Sequence, residues 1–227
     1  MKRPVFYTDI AKIVASNIID TGAYVVNINK DKKEWIVHNN GVILPCYTNC
    51  RFLFPHRIVF CRIISYLESL INLNIADADI LIGLSTAGIP IAARLSERMD
   101  MPMAYVRSKP KGYGVGNLVE GNPPKNKKAI LLDDTIASGK SLMVATKALE
   151  DECEIVVSAI ITITAMSEYG FDNKWEYFRK KGIPILSLTN YKYIQEEAIK
   201  RGLITRKQAE KLEDFYRAPR NFKWGNF

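Results

Sequence analysis

An apolar segment that runs directly into two adjacent acidic residues is the feature that most constrains the fold. Residues 129–132 are apolar and predict a buried strand, and Asp133 and Asp134 follow at once. After a turn of small residues, Leu142, Ala145 and Leu149 recur at helical spacing. This order predicts an α/β sheet with two carboxylates at the carboxyl end of a parallel strand, where open sheets bind ligands.

The turn itself has the composition of a phosphate site. Gly139 permits close backbone approach, and a helix that begins at residues 139–141 directs unpaired N–H groups and its positive dipole end at an anion. Adjacent carboxylates repel phosphate, so they suit ribose hydroxyls or a metal-bound ligand. A P-loop is the rival interpretation, but the glycine that it needs upstream of Gly139 is missing. The structural alternative is an ordinary turn whose acidic residues cap the helix.

A second strand-to-turn junction follows residues 80–84. Ser85, Thr86, Ala87 and Gly88 could form a second anion site from hydroxyls and backbone N–H groups, and close helix–sheet packing is the alternative. Between the two junctions, Arg107, Lys109 and Lys111 are interleaved with glycines. We expect this segment to be a mobile loop that closes over an anion, rather than a merely solvated linker.

Composition limits the class of protein. The 227 residues are 48% hydrophobic and 25% charged, with no apolar run near the roughly 20 residues of a membrane span and no evident signal peptide. The four cysteines lack CxxC spacing and predict reduced, mostly buried thiols, hence a cytoplasmic protein. A net charge of +8 suits an anionic partner, but the charges are dispersed and no nucleic-acid-binding motif accompanies them.

The pattern predicts a single α/β domain with a central, mostly parallel sheet flanked by helices. Residues 1–75 are predicted to form a small N-terminal hood, residues 76–190 the core, and residues 191–227 closing helices and a loose tail. The predicted helices span 9–19, 57–71, 89–98, 141–150, 173–181, 194–201 and 206–216, and the predicted strands 24–28, 35–37, 80–84, 103–106, 129–132, 155–164 and 185–188.

These segments resemble those of a known family. The first turn is similar to the phosphoribosyl pyrophosphate (PRPP) motif of type I phosphoribosyltransferases, and the loop is similar to that of orotate phosphoribosyltransferases. The loop matches at Tyr105, Val106, Arg107, Lys111, Gly114, Gly116, Asn117, Glu120 and Gly121. Residues 83–90 and 45–51 resemble two further segments of that family, and the likeness covers about residues 10–190.

The resemblance implies transfer of the phosphoribosyl group of PRPP to orotate, giving orotidine 5'-monophosphate and diphosphate in pyrimidine synthesis. It also implies Mg²⁺ held mainly through PRPP rather than by direct protein ligands, and a homodimer in which the loop reaches the neighbouring site. The catalytic residues would be Arg107, Lys109 and Lys111. The PRPP-binding residues would be Ser85, Thr86, Ala87, Gly88, Arg107, Lys111, Tyr113, Asp133, Asp134, Thr135, Ile136, Ala137, Ser138, Gly139, Lys140 and Ser141, with Ala137 and Tyr47 near the base.

The chain departs from the family pattern at two of these positions. Tyr113 stands where the family has His, and Ala137 stands where many members have a hydroxyl residue. A phosphoribosyltransferase for another base and a PRPP-binding regulator without turnover are therefore alternatives to orotate transfer.

Overall fold

The chain divides into two compact units, each built from segments distant in sequence. A computed structural model describes residues 5–37, 41–110, 117–166, 175–217 and 222, with side chains from residue 8 onward. The core unit comprises Ile58–Ala165 and Asp172–Leu188. The terminal unit comprises Met1–Arg57, Met166–Phe171 and Thr189–Phe227.

A six-stranded sheet forms the centre of the core unit. Its strands are β5 (Ile80–Leu84), β6 (Met103–Val106), β7 (Val119–Glu120), β8 (Lys128–Ile136), β9 (Val156–Ala165) and β10 (Ile185–Asn190), in the order β10-β9-β8-β5-β6-β7. The pairs β5/β6, β5/β8 and β8/β9 are parallel, and β6/β7 is antiparallel. The predicted α/β fold with a mostly parallel sheet is confirmed.

Four helices accompany this sheet: α2 (Arg57–Asn74), α3 (Gly88–Met99), α4 (Lys140–Cys153) and α5 (Trp175–Lys180). Strand β5 is buried along its whole length, as expected for a parallel strand covered on both faces. Helix α2 was predicted as part of the N-terminal hood, but it lies in the core unit apart from its first residue. Its Glu68 forms an ion pair with Arg98 of α3, with 2.5 Å between nitrogen and oxygen.

The terminal unit joins the two ends of the chain. It contains α1 (Val5–Asp20), β1 (Tyr24–Val26), β2 (Ile36–Val37), β3 (Ile43–Leu44), β4 (Cys46–Thr48), α6 (Tyr191–Lys200) and α7 (Arg206–Arg217), with 3₁₀ turns at Lys32–Glu34 and Cys50–Leu53. Strands β1 and β4 pair antiparallel, as do β2 and β3. The short strands β3 and β4 were not predicted. Most of the predicted tail lies outside the described residues.

A buried chain of phenol hydroxyls connects the ends. The Tyr24 and Tyr191 oxygens lie 3.2 Å apart, Tyr191 donates to Tyr216 at 2.9 Å, and Tyr216 donates to the Cys46 carbonyl at 3.2 Å. Thr189 also donates to the Ala11 carbonyl at 2.8 Å. Because the phenols are fully buried, desolvation raises the pKa of each well above its ordinary range.

The cysteines agree with the predicted thiol state. All four lie within the described residues, and none of them forms a disulfide; Cys46, Cys50 and Cys153 are buried, and Cys61 is half-buried. Within the part of the chain that the structure describes, no helix combines the length and the apolar character needed to cross a membrane.

Candidate active site

The acidic pair lies within strand β8 itself, which is longer than predicted. Residues 129–132 are fully buried, whereas Asp133, Asp134 and Thr135 are half-buried. The strand continues past Leu132 because its backbone pairs with β9 as far as Ile136 opposite Ala165. The carboxylates therefore lie on the carboxyl-terminal part of a central strand. The Oδ1 atom of Asp133 accepts a hydrogen bond from the N–H of Asp134 at 2.9 Å.

The turn after β8 leads into a helix that begins at Lys140, within the predicted range of residues 139–141. Gly139 adopts φ 77° and ψ 0° at the N-cap of α4, a left-handed conformation that favours glycine. Its carbonyl accepts the N–H of Met143 at 2.9 Å, and the Ser138 hydroxyl accepts the N–H of Lys140 at 3.3 Å. The remaining N–H groups of the first turn have no intrahelical acceptor, and Ser141 is exposed there. This end of α4 can therefore hold a phosphate.

Trp175, the first residue of α5, supports this turn and was not singled out from the sequence. Its indole Nε1 donates to the Ala137 carbonyl at 2.9 Å. The two residues are 38 positions apart in the sequence, and no periodic pattern connects them. The contact fixes the backbone at the position where the resemblance implies a base-side residue.

The second turn connects β5 to α3, and its glycines make close backbone contacts. A Cβ on Gly83 would lie 2.8 Å from the Gly88 carbonyl oxygen, and a Cβ on Gly88 would lie 2.1 Å from the Leu132 carbonyl oxygen. The glycines therefore serve close packing, which was the alternative interpretation. The same packing brings the N-terminus of α3 to the β8 backbone at Leu132 and Asp133, so the second turn lies beside the acidic pair.

The residues of this second turn differ in their exposure to solvent. Thr86 is exposed and Ala87 is buried, and the peptide between Ser85 and Thr86 is cis. The Ser85 hydroxyl accepts the N–H of Ser108 at 2.9 Å, which ties the turn to the segment after β6. A hydroxyl and the start of a helix thus lie beside the segment that carries the predicted cations.

Arg107 and Lys109 are held at the end of β6. The Arg107 Nη1 lies 3.3 Å from Glu120 Oε1, and its Nε donates to the Lys109 carbonyl at 3.2 Å, while Lys109 itself is exposed. Glu120 belongs to β7, a two-residue strand inside the predicted loop. Lys111 and Tyr113 lie outside the described residues, so their predicted roles stay predictions.

Tyr47 lies in the terminal unit, half-buried in β4, opposite Val25 of β1. Its assignment to the base also stays a prediction. Among the described residues, no group of three or more His, Cys, Asp or Glu side chains is placed to hold a metal ion. The described protein groups near the two turns are thus an acidic pair, two helix N-termini and the basic end of β6.

The architecture and the paired turns define a phosphoribosyltransferase-type site. The sequence model described as "Phosphoribosyl transferase domain" matches residues 53–193. An orotate phosphoribosyltransferase of Bacillus mycoides is 32% identical over 214 residues, which cover 94% of this chain and 98% of the relative. The chain belongs to the orotate phosphoribosyltransferase family of phosphoribosyltransferases.

Solved structures agree with this placement. An orotate phosphoribosyltransferase from Aeropyrum pernix superposes with a TM-score of 0.66 at 25% identity, covering 81% of this chain and 97% of that one. Leishmania donovani UMP synthase superposes with a TM-score of 0.69 at 20% identity, covering 92% of this chain and 41% of that one. The second likeness concerns the fold alone.

Proposed function

We propose that this protein transfers the phosphoribosyl group of PRPP to orotate, producing orotidine 5'-monophosphate and diphosphate in pyrimidine synthesis. The observation that carries the proposal is the β8–turn–α4 geometry, in which a half-buried acidic pair precedes a left-handed glycine and a helix N-terminus. Family membership supplies the base, since the relatives that match nearly the whole chain are named for orotate.

The 5-phosphate of PRPP would occupy the turn of residues 137–141. Gly139 lets the backbone approach the phosphate, and the N-terminus of α4 contributes N–H donors and a partial positive charge. Asp133 and Asp134 would then accept hydrogen bonds from the ribose hydroxyls, since ionised carboxylates are acceptors. This arrangement places neutral donors on phosphate and carboxylates on hydroxyls, which avoids like-charge contact.

The diphosphate would lie toward the second turn and the end of β6. The start of α3, the hydroxyl of Thr86 and the cations Arg107 and Lys109 offer donors and positive charge there. Lys111 and Tyr113 are proposed to act from the same segment. Mg²⁺ usually keeps several waters and binds substrate phosphates with at most one or two carboxylates. Because the acidic pair is assigned to the ribose hydroxyls, the ion would be held mainly by the phosphates of PRPP and by water. When bound, that ion would neutralise diphosphate charge.

The reaction requires no protein nucleophile. The bond between the anomeric carbon and diphosphate oxygen breaks, and the electron pair leaves with diphosphate. The ring nitrogen of the base forms the new bond to carbon and loses its N–H proton to solvent. Positive charge develops on the ribose ring and negative charge on the leaving group. The protein therefore acts by holding both substrates in line and by stabilising the diphosphate with Arg107 and Lys109.

Three further features belong to the same proposal. We propose a homodimer in which the segment after β6 serves the neighbouring site, a cytoplasmic location, and no nucleic-acid partner. The family resemblance supports the first, and four mostly buried cysteines outside disulfides support the second. Dispersed charge supports the third.

The test follows the loss of orotate ultraviolet absorbance on mixing protein, PRPP and Mg²⁺, with diphosphate release measured in parallel. Orotate-dependent release is expected. Release with another base but not with orotate would transfer the proposal to that base, in keeping with the missing hydroxyl at Ala137. Binding of PRPP with no diphosphate release for any base would refute the proposed enzymatic activity and favour a PRPP-binding regulator. Lys111→Ala should slow turnover, because it removes a cation from the leaving group.

A further inference from the structure

The last turn of α4 carries a charge pattern that the helix itself disfavours. Glu150, Asp151 and Glu152 are acidic, and the turn has no basic residue, although the partial negative charge of a helix C-terminus repels carboxylates. Glu150 is paired with Lys181, whose Nζ lies 2.6 Å away. Glu152 has different partners, on the sheet. A local arrangement that opposes helix electrostatics is expected where a residue serves another purpose.

Glu152 binds the backbone at the start of β7. Its carboxylate accepts the N–H of Leu118 at 3.1 Å from both oxygens and the N–H of Val119 at 3.0 Å. Hydrogen bonds to a charged acceptor are stronger than neutral ones. Glu152 is half-buried, so these bonds are partly shielded from solvent. The carboxylate therefore fixes the backbone of this short edge strand.

Strand β7 in turn holds the guanidinium of Arg107. Glu120 lies opposite Tyr105 in the antiparallel pair of β6 and β7, and its Oε1 is 3.3 Å from Arg107 Nη1. The Arg107 N–H also donates to the Leu118 carbonyl at 2.9 Å. The backbone of Arg107 is thus bound to Leu118, and its side chain is bound to Glu120 of β7. Glu152 accepts hydrogen bonds from the backbone of the same segment, at Leu118 and Val119.

We propose that Glu152 is a positioning residue that sets the orientation of Arg107 toward the diphosphate, acting through β7 and Glu120. The inference rests on the proposed function, because it assigns diphosphate to Arg107. One helix then serves both ends of PRPP: its N-terminus receives the 5-phosphate, and its last turn, about 20 Å away, holds the strand that orients the diphosphate cation. Capping an exposed sheet edge is the purely structural role that the test must separate.

The test compares two ligands by titration calorimetry, PRPP and ribose 5-phosphate, which lacks the diphosphate. Glu152→Ala should weaken PRPP binding about tenfold and leave ribose 5-phosphate binding unchanged. Glu152→Gln keeps a neutral acceptor and should recover part of the loss. Asp151→Ala removes the same charge from the same helix turn at an exposed residue and should alter neither ligand. Turnover assays should show a raised KM for PRPP in Glu152→Ala.

Two results would overturn the positioning role: an unchanged preference for PRPP in both Glu152 variants, or equal weakening of both ligands. If Glu152→Ala does not fold, Glu152→Gln decides between these outcomes, because it retains a hydrogen-bond acceptor for β7. A different result concerns the proposed function. If the unmodified protein bound PRPP no more tightly than ribose 5-phosphate, the diphosphate assignment itself would be wrong.

Discussion

Replacing Gly88 by alanine tests whether close packing of the start of α3 against β8 is needed for the site. The added Cβ would lie 2.1 Å from the Leu132 carbonyl oxygen and 3.3 Å from the Asp133 Cα, whereas ordinary contacts begin at 3.4 Å. The first distance falls short by about 1.3 Å, and the obstructing atoms are backbone. Either α3 or β8 must therefore move.

The magnitude follows from the rigidity of this region. Overpacking costs about 1–3 kcal/mol, and we expect about 3 kcal/mol because no flexible side chain can yield. At about 2–4 °C per kcal/mol, the melting temperature should fall by about 6–12 °C. A displacement of about 1 Å at Asp133 should also lower kcat/KM by about 100-fold.

The assay pairs thermal unfolding with orotate turnover below the lowered melting temperature. Gly182→Ala is the control in the same unit, because its Cβ would meet nothing within 4 Å and its φ of +69° costs only backbone strain. That control should lose about 1 kcal/mol and keep its kcat/KM. Full stability and turnover in Gly88→Ala would refute the packing argument.

The other predictions concern a carboxylate, an indole and buried acids. Asp134→Asn should lower kcat/KM by about 10- to 100-fold through weaker ribose contacts, with melting temperature as the control; unchanged turnover would remove Asp134 from the site. Trp175→Phe should cost about 1 kcal/mol and raise KM for PRPP, because the Ala137 carbonyl loses its donor; an unchanged KM would show that the turn holds without it. Burial raises the pKa of Cys46 from 9.0 to about 11, so the folded state holds its proton more tightly than the unfolded state. The resulting stability is complete below about pH 9 and is lost as pH rises toward 11. The Cys46 thiol should therefore contribute about 2 kcal/mol to the stability lost between pH 8 and about pH 10.5 in denaturant unfolding. The buried phenols, whose pKa values are also raised, add to the total loss, and Cys46→Ala should remove the part due to the thiol.

The fold was predictable where one segment carried its own pattern. The apolar residues 129–132 identified β8, and a helix beginning at residues 139–141 was expected after the turn. The bounds of the strands were harder to predict, because β8 continues through Asp133 by pairing with β9 and not because of its own composition. Strand β7 is two residues long, too short for any periodicity.

The turns of the candidate site could be predicted from the sequence, but the residues that hold those segments in place could not. Serine, glycine and acidic residues beside predicted strands indicated ligand contacts directly. Trp175 and Glu152 act on backbone atoms 38 and 34 positions away, and only the folded chain brings these groups together. The acidic last turn of α4 was the one signal available for Glu152, since it contradicts helix electrostatics.

The hydrogen bonds between the chain ends bear on biosynthesis. Tyr216 and Cys46 are 170 residues apart, and Thr189 and Ala11 are 178 apart. A nascent chain leaves the ribosome with its N-terminus first, and its domains fold as units. All residues of the core unit are therefore available once residue 188 has left the ribosome. The terminal unit must wait for α7, and until then its N-terminal strands lack their buried partners. A chain truncated before α7 should therefore keep the sheet and expose its N-terminal segment to cellular proteases.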